Sequence, residues 1–189
     1  MRERSTTQQL DPRLPLVIDT STLPRAPGAM RPLERVVGAP AELTAGLIGV
    51  AAGAELRLDL RLESVSEGVL VSGSVSAEAV GECARCLRPI RVDLAVSIQE
   101  LFAYPDSTTD ATAEPDEVGR LQGDLLDLEP VVRDAVVLAL PSSPLCREDC
   151  PGLCPECGAH WDDLPADHHH GQPVDPRWAA LKSLTLTEE

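Results

Sequence analysis

Six cysteines in three pairs constrain this 189-residue chain more than any other feature of its sequence. A first pair, Cys83 and Cys86, stands alone near the middle of the chain. A second pair (Cys146 and Cys150) and a third pair (Cys154 and Cys157) form a dense cluster about sixty residues later. Two residues between thiolates let one tight turn direct both sulfurs at a tetrahedral ion. The sequence therefore predicts one structural Zn²⁺ site, with all six cysteines as candidate ligands.

The compartment predicted for the chain supports metal binding over disulfides. Residues 1–16 lack the apolar segment of a signal peptide. The apolar runs at 47–54 and 135–140 are far shorter than the roughly 20 residues that cross a bilayer. We therefore expect a cytoplasmic protein without membrane contact, and clustered cysteines in a reducing cytoplasm are more often metal ligands than disulfides.

Charge is distributed unevenly along the chain, whose net charge is −15. Residues 1–92 carry 11 basic and 11 acidic side chains, whereas residues 93–189 carry 5 and 20. Such an acidic half repels phosphate backbones. The composition thus favours a basic protein partner over a broad RNA-binding surface, although acidity that serves only solubility explains the same numbers.

Alternating apolar residues predict an antiparallel β meander. Leucines alternate with charged residues over 55–63, and comparable patterns follow over 69–79 and 90–98. The first cysteine pair lies at the reversal between the second and third of these strands, where a bound metal would fix the register of the hairpin. One helix is predicted from Pro130 to Pro141. The predicted class is α+β: a meander with one packed helix, and a zinc knuckle that joins the hairpin tip to the C-terminal cysteines.

The predicted domain organisation is one β-rich domain with two flanking segments. That domain spans residues 41–164, contains the cysteine site, and includes a mobile acidic loop over 105–119. Residues 1–40 are rich in proline and are predicted to form an extended arm. Residues 165–189 are predicted to form a polar tail with a short helix over 176–183.

Three assignments of the metal ligands are open. The first pair could join the third pair, as in a zinc ribbon, or join the second pair near the end of the helix. Alternatively, the second and third pairs could form a local site and leave the first pair spare. A long-range site ties the sheet to the tail and gives the isolated first pair a role, so we favour the first two assignments. The symmetry of two Cys-x-x-Cys motifs slightly favours the first of these.

Histidines and redox chemistry offer further alternatives. His160 could replace a sulfur, and the run His168–His170 could bind metal adventitiously, but we interpret that run as a solvated segment. The surplus of sulfur and the lack of a His-Glu-x-x-His motif favour a structural metal over a catalytic one, so no catalytic residue is assigned. A cytosolic thiol-redox switch is the alternative from another class.

The arrangement of these motifs resembles the YceD-like family, whose members are described as large ribosomal RNA subunit accumulation proteins. The resemblance rests on Gly81–Leu87, on Leu140-Pro141 and on the run from Cys146 to Gly158. The stretches Glu67–Gly73 and Asp175–Leu181 are similar to the actinobacterial members. The resemblance covers about residues 15–184. Where many members read Asn-Leu-Asn after the last cysteine pair, this chain reads Ala159-His160-Trp161.

The resemblance implies a non-enzymatic role in accumulation or processing of 23S rRNA and in assembly of the large ribosomal subunit. With the charge distribution, it implies a basic ribosomal protein or a large-subunit assembly intermediate as the partner. Some relatives keep only the first pair and a Cys or His near positions 146 and 150, which brings the second assignment level with the first. An RNA-binding zinc ribbon is the other alternative, and Arg85, Arg88 and Arg91 are the one basic group that could contact phosphate.

Overall fold

The computed structural model describes residues 9–40, 43–105, 107–114 and 117–170, and residue 177. Within these ranges lie nine strands and two α-helices, followed by a 3₁₀ turn at Trp161–Asp163. In chain order they are β1 (Val17–Asp19), β2 (Met30–Gly38), β3 (Leu43–Ala45), β4 (Ile48–Val50), β5 (Glu55–Val65), β6 (Gly68–Glu82), β7 (Pro89–Ala103), α1 (Thr108–Thr112), β8 (Gly119–Arg120), β9 (Leu125–Asp127) and α2 (Glu129–Ala139).

The three strands of the predicted meander form the centre of the main sheet and confirm its antiparallel arrangement. β5 pairs with β6, with Leu62 opposite Val71. β6 pairs with β7 along its whole length, from Gly68 opposite Ala103 to Glu82 opposite Pro89. The alternation in β5 matches burial closely, because its leucines are buried and the charged residues from 55 to 61 are exposed. One face of the meander therefore forms the core, as a half-buried sheet requires.

Further strands extend this sheet on both sides. β2 pairs with β5, β4 and β3 continue from the far end of β6, and the short β8 runs parallel to β7. Residues 1–40 are thus more than an extended arm, because β2 is a nine-residue edge strand of the main sheet. Pro32 is compatible with this position, since an edge strand has one row of N–H groups without a strand partner. The prolines of this segment and the weak alternation of apolar and polar residues in β2 did not predict a strand here.

A second layer covers the apolar face of the sheet and contains the predicted helix. α2 packs against β7 and β3 and buries Val132 and Val136 fully. Its bounds agree with the prediction, with Pro130 in its first turn and its end just before Pro141. Beside it, β1 and β9 form a separate two-stranded sheet. The end of α2 directs the following segment towards the tip of the β6–β7 hairpin.

Two other predicted segments are described only in part. The predicted acidic loop contains α1, whose first turn is capped because Asp110 N–H donates to the Ser107 hydroxyl. Arg120 Nε donates to the Asp110 carboxylate at 2.7 Å and so holds this helix near β8. The predicted tail helix over 176–183 lies outside the described residues apart from residue 177. Among the helices that the structure describes, none has the length and apolarity to span a membrane.

Candidate metal centre

The β6–β7 hairpin positions the first cysteine pair at its tip. β6 ends at Glu82 and β7 begins at Pro89, so residues 83–88 form the connecting knuckle. Cys83 N–H donates to the Arg88 carbonyl at 2.9 Å, and Leu87 N–H donates to the Cys83 carbonyl at 2.9 Å. Leu87 has φ +60°, the left-handed conformation that closes the turn. Cys83 and Cys86 are both buried.

The segment after α2 brings the second pair to this knuckle. Ala84 N–H donates to the Pro144 carbonyl at 2.7 Å, which fixes the approaching chain beside the tip. Arg85 Nη1 then donates to the Cys150 carbonyl at 3.0 Å. These bonds join residues separated by about sixty positions in sequence, and they hold the two cysteine pairs face to face.

Four sulfurs converge at this junction in a set that we call the four-thiol cluster: Cys83, Cys86, Cys146 and Cys150. All four Sγ atoms lie within 4.8 Å of one another. The Sγ atoms of Cys83 and Cys150 are 3.8 Å apart, and those of Cys86 and Cys146 are 3.7 Å apart. Zn–S bonds of about 2.3 Å in a tetrahedron give S···S edges of about 3.8 Å. The cluster thus has the dimensions of a tetrahedral thiolate site, and the first pair meets the second pair.

Backbone hydrogen bonds favour the thiolate form of one member. Burial alone would raise the pKa of Cys83, but N–H groups of Cys146, Arg85 and Cys86 outweigh it and lower that pKa to about 6. The pKa of Cys146 is raised to about 12, first by its hydrogen bond with Cys150 and then by burial. Neighbouring thiolates repel each other, so a divalent cation is the ligand that lets all four sulfurs ionise together.

The third pair forms a second knuckle with the same backbone pattern as the first. Cys154 N–H donates to the Ala159 carbonyl at 2.7 Å, and Gly158 N–H donates to the Cys154 carbonyl at 2.8 Å. Gly158 has φ +71° and occupies the same place in its knuckle as Leu87 does in the first. Both Cys-x-x-Cys motifs therefore adopt one turn geometry, which aims two sulfurs to the same side.

This second knuckle faces histidines instead of the other cysteines, in a set that we call the Cys/His cluster: Cys154, Cys157, His168 and His170. One donor atom from each lies within 4.8 Å of the others, and Cys157 Sγ is 3.7 Å from His168 Nε2. The pKa of Cys154 is lowered to about 6, and the main cause is the hydrogen bond that the Cys157 N–H donates to the Cys154 sulfur. The zinc-ribbon assignment, which joined the first and third pairs, does not match this arrangement.

The outcome for the histidines differs from the sequence interpretation. The run His168–His170 was interpreted as solvated, but only His169 is exposed, and its neighbours on both sides turn towards the third pair. His160, which the sequence offered as a replacement for a sulfur, is outside both clusters, and its backbone bridges to Leu153. Two histidines at alternate positions after a Cys-x-x-Cys motif were the signal in the sequence, since alternate residues of an extended segment share a side.

The basic group considered for RNA contact is engaged within the protein. Arg85 binds the backbone of the second pair, as described above. Arg88 Nη2 donates to the Asp163 carboxylate at 2.8 Å, and Arg91 Nη1 donates to Glu78 at 2.5 Å. These three guanidinium groups therefore connect parts of the molecule, and two of them are already neutralised by carboxylates.

Arg147 adds a further link between the segments that carry the two clusters. Its guanidinium makes a bidentate pair with the Asp162 carboxylate, with N···O distances of 2.8 and 2.5 Å. Gly152 lies between Arg147 and Asp162 in sequence and has φ +81°. A Cβ at this position would lie 3.1 Å from the Arg85 carbonyl oxygen. Glycine at this position therefore permits close approach of the second knuckle to the first.

Comparison with known proteins identifies the family to which the chain belongs. A family model described as "Large ribosomal RNA subunit accumulation protein YceD" matches residues 71–185. The chain belongs to the YceD family. This match begins within β6 and includes every residue of the four-thiol and Cys/His clusters.

Relatives of this YceD-family chain come from several bacteria. Uncharacterized protein Rv2926c of Mycobacterium tuberculosis is 53% identical over 183 residues, which cover 97% of this chain and 87% of the relative. Uncharacterized protein ML1660 of Mycobacterium leprae is 45% identical over 170 residues, covering 90% and 77%. Uncharacterized protein YlbN of Bacillus subtilis is 31% identical over 134 residues, covering 70% and 73%. No solved structure matches the chain.

Proposed function

We propose that this protein is a non-enzymatic cytoplasmic factor for accumulation of 23S rRNA and assembly of the large ribosomal subunit, and that a structural zinc ion at the four-thiol cluster holds it in its active shape. The convergence of four sulfurs from distant parts of the chain at tetrahedral spacing carries the zinc assignment. The description of the YceD family supports the ribosomal role.

The donor set favours a structural role for the metal. Four thiolates fill every position of a tetrahedral zinc ion, so no position is left for a reacting water. Cys83, Cys86 and Cys150 are buried and pack with Leu145 and Leu153 in a small apolar cluster of their own. A closed, buried site of this kind contributes to folding, because the ligands assemble only in the folded chain.

Charge near the clusters favours a basic protein partner. The segment 146–170 contains six exposed acidic residues and a single arginine: Glu148, Asp149, Glu156, Asp162, Asp163, Asp167 and Arg147. Arg147 pairs with Asp162 and Arg88 pairs with Asp163, and the surface keeps a negative charge after both pairs are counted. Four thiolates around Zn²⁺ add about two negative charges. A Lys/Arg-rich ribosomal protein, or an assembly intermediate that displays one, complements this surface. Asp163 and Glu78 offset the charges of Arg88 and Arg91, which lowers the net positive charge that this group offers to RNA.

Depletion and complementation test this proposal. Depleting the protein in cells that carry the gene should lower the ratio of large-subunit to small-subunit rRNA, measured by quantitative electrophoresis of total RNA. The wild-type gene and the Ser143→Ala variant, whose exposed serine lies on the same segment, should restore the ratio, whereas Cys146→Ser should not. A normal ratio after depletion contradicts the ribosomal role, and full restoration by Cys146→Ser contradicts the need for metal.

One observation favours a second candidate, a redox switch at the same cluster. Cys146 is exposed and its Sγ lies 3.7 Å from that of the buried Cys86, so peroxide could oxidise these two thiols to a disulfide, with its own reduction to two waters, and so remove two ligands from the metal. Anaerobic purification separates the two functions. Tightly held zinc that survives mild peroxide favours the structural role, and rapid zinc release with disulfide formation favours the switch.

A further inference from the structure

The second knuckle has a shape suited to metal binding on its own. It repeats the hydrogen bonds and the positive φ of the first knuckle, as described above. A tetrahedral ion with a Zn–S bond of about 2.3 Å and a Zn–N bond of about 2.05 Å has an S···N edge of about 3.6 Å. The distance of 3.7 Å from Cys157 Sγ to His168 Nε2 agrees with that edge.

Neighbouring groups hold the two histidine rings in place. The 3₁₀ turn reverses the chain after His160, and Trp161 N–H donates to the Gly152 carbonyl at 3.1 Å. The Trp161 ring meets the His168 ring edge-on, with centroids 5.5 Å apart. The rings of His168 and His170 also meet edge-on, at 4.6 Å. These contacts bring both imidazoles onto the third cysteine pair.

His170 gives a second, independent observation that points to a metal ligand. Its Nε2 atom is buried and has no hydrogen-bond partner among the described residues, which is costly for a polar ring nitrogen. On the other side of the ring, Nδ1 faces the Glu156 carboxylate at 3.7 Å. At this distance the carboxylate makes an electrostatic contact with the ring and no hydrogen bond, on the side where metal-ligating histidines usually have a carboxylate. His169, by contrast, points outward and contacts the Asp167 carbonyl through Nδ1 at 2.8 Å.

We propose that this protein binds a second zinc ion, coordinated by Cys154, Cys157, His168 and His170. Two sulfurs and two imidazole nitrogens in a tetrahedron are a donor set typical of zinc. The ion closes the loop between the second knuckle and the histidines and fixes residues 154–170 beside the hairpin tip. The protein therefore carries two ions, where the sequence predicted one, and this inference does not depend on the ribosomal role.

Metal counting with matched histidine variants tests the second site. The full chain, purified without a histidine tag, is loaded with Zn²⁺ and dialysed against a weak chelator that removes loosely held ions. The zinc content per protein chain, measured by inductively coupled plasma mass spectrometry, should be two ions for the wild type and for His169→Ala. It should be one ion for His168→Ala and for His170→Ala. Cys86→Ser should also leave one ion, since it disrupts only the four-thiol cluster.

Cobalt substitution reports the ligands directly. In the wild type, Co²⁺ should produce thiolate-to-metal absorption from six sulfurs, and His168→Ala should lose the part that comes from the third pair. Circular dichroism checks that the sheet persists in each variant. A wild type with one ion, a His168→Ala variant with two, or a His169→Ala variant that loses an ion as His168→Ala does would each overturn the proposal. Loss of the second ion with a normal rRNA ratio leaves the proposed function intact.

Discussion

Removal of the metal from the four-thiol cluster should lower thermal stability by an amount that follows from the length of the loop it closes. Cys86 and Cys146 are 60 residues apart in sequence, and their sulfurs are neighbours in the cluster at 3.7 Å. The chain-entropy relation for a cross-link over such a loop gives about 4 kcal/mol at 25 °C. This is a large share of the 5–15 kcal/mol that typically stabilises a domain.

That loss translates into a clear change in the unfolding midpoint. A domain of this size changes its midpoint by roughly 2–4 °C per kcal/mol, so removal of the ion should lower it by about 8–16 °C. Thermal unfolding followed by circular dichroism would compare zinc-loaded wild type, chelator-treated wild type, and Cys146→Ser with and without zinc. Cys146 is exposed, so its replacement by serine removes a ligand with little loss of packing.

The comparison is a thermodynamic cycle with its own control. The unfolding midpoint of Cys146→Ser should lie well below that of the zinc-loaded wild type. In a strong chelator the two midpoints should nearly coincide, because the chelator leaves neither protein with a bound ion. Ser143→Ala should behave as the wild type under every condition. The reasoning is refuted if chelation leaves the wild-type midpoint unchanged, because sulfur convergence would then contribute nothing to folding.

Three further predictions concern the backbone, the core and one ion pair. Leu87→Gly should stabilise the protein by about 0.5 kcal/mol in urea unfolding, because a left-handed leucine costs about 1–2 kcal/mol and the entropy that glycine loses on folding offsets about 0.5–1 kcal/mol of that gain. Gly158→Ala should destabilise the protein by about 1 kcal/mol, because alanine would have to adopt a left-handed conformation. Leu62→Ala should cost about 2–5 kcal/mol by the same assay, and Leu138→Ala, at a residue 85% exposed, less than about 0.5 kcal/mol. Asp162→Asn should destabilise at neutral pH, since the hydrogen bond from its arginine partner lowers the pKa of this carboxyl; the difference from wild type should vanish as pH falls through that pKa, and a pH-independent difference contradicts the ion pair.

The central strands were predictable because their signal is local. In β5, leucines alternate with charged residues without interruption, and burial follows the same alternation. α2 was also predictable, because a proline lies in its first turn and another follows its end. β2 was not, since an exposed edge strand needs few apolar residues and its sequence lacks the pattern of a half-buried strand.

The candidate metal ligands were predictable only in part. Cysteine spacing identified both knuckles, because a Cys-x-x-Cys turn is formed by a few consecutive residues. The sequence did not mark His168 and His170 as candidate ligands of the third pair, because the chain returns to that pair through a 3₁₀ turn that depends on a contact with Gly152. The basic group of arginines was visible in the sequence, but its carboxylate partners were not.

Features that a short stretch of chain can encode follow from the residues alone: the alternating strands, the proline-bounded helix, the acidic carboxyl-terminal half and the two cysteine knuckles. The choice of partner for each knuckle depends on the folded chain. Spacing fixes the direction of two neighbouring sulfurs, whereas their meeting with ligands up to about sixty residues away depends on the path of the whole chain. The hairpin length and the exit of α2 set that path, and they bring Cys83 to Cys150 and leave Cys154 to the histidines.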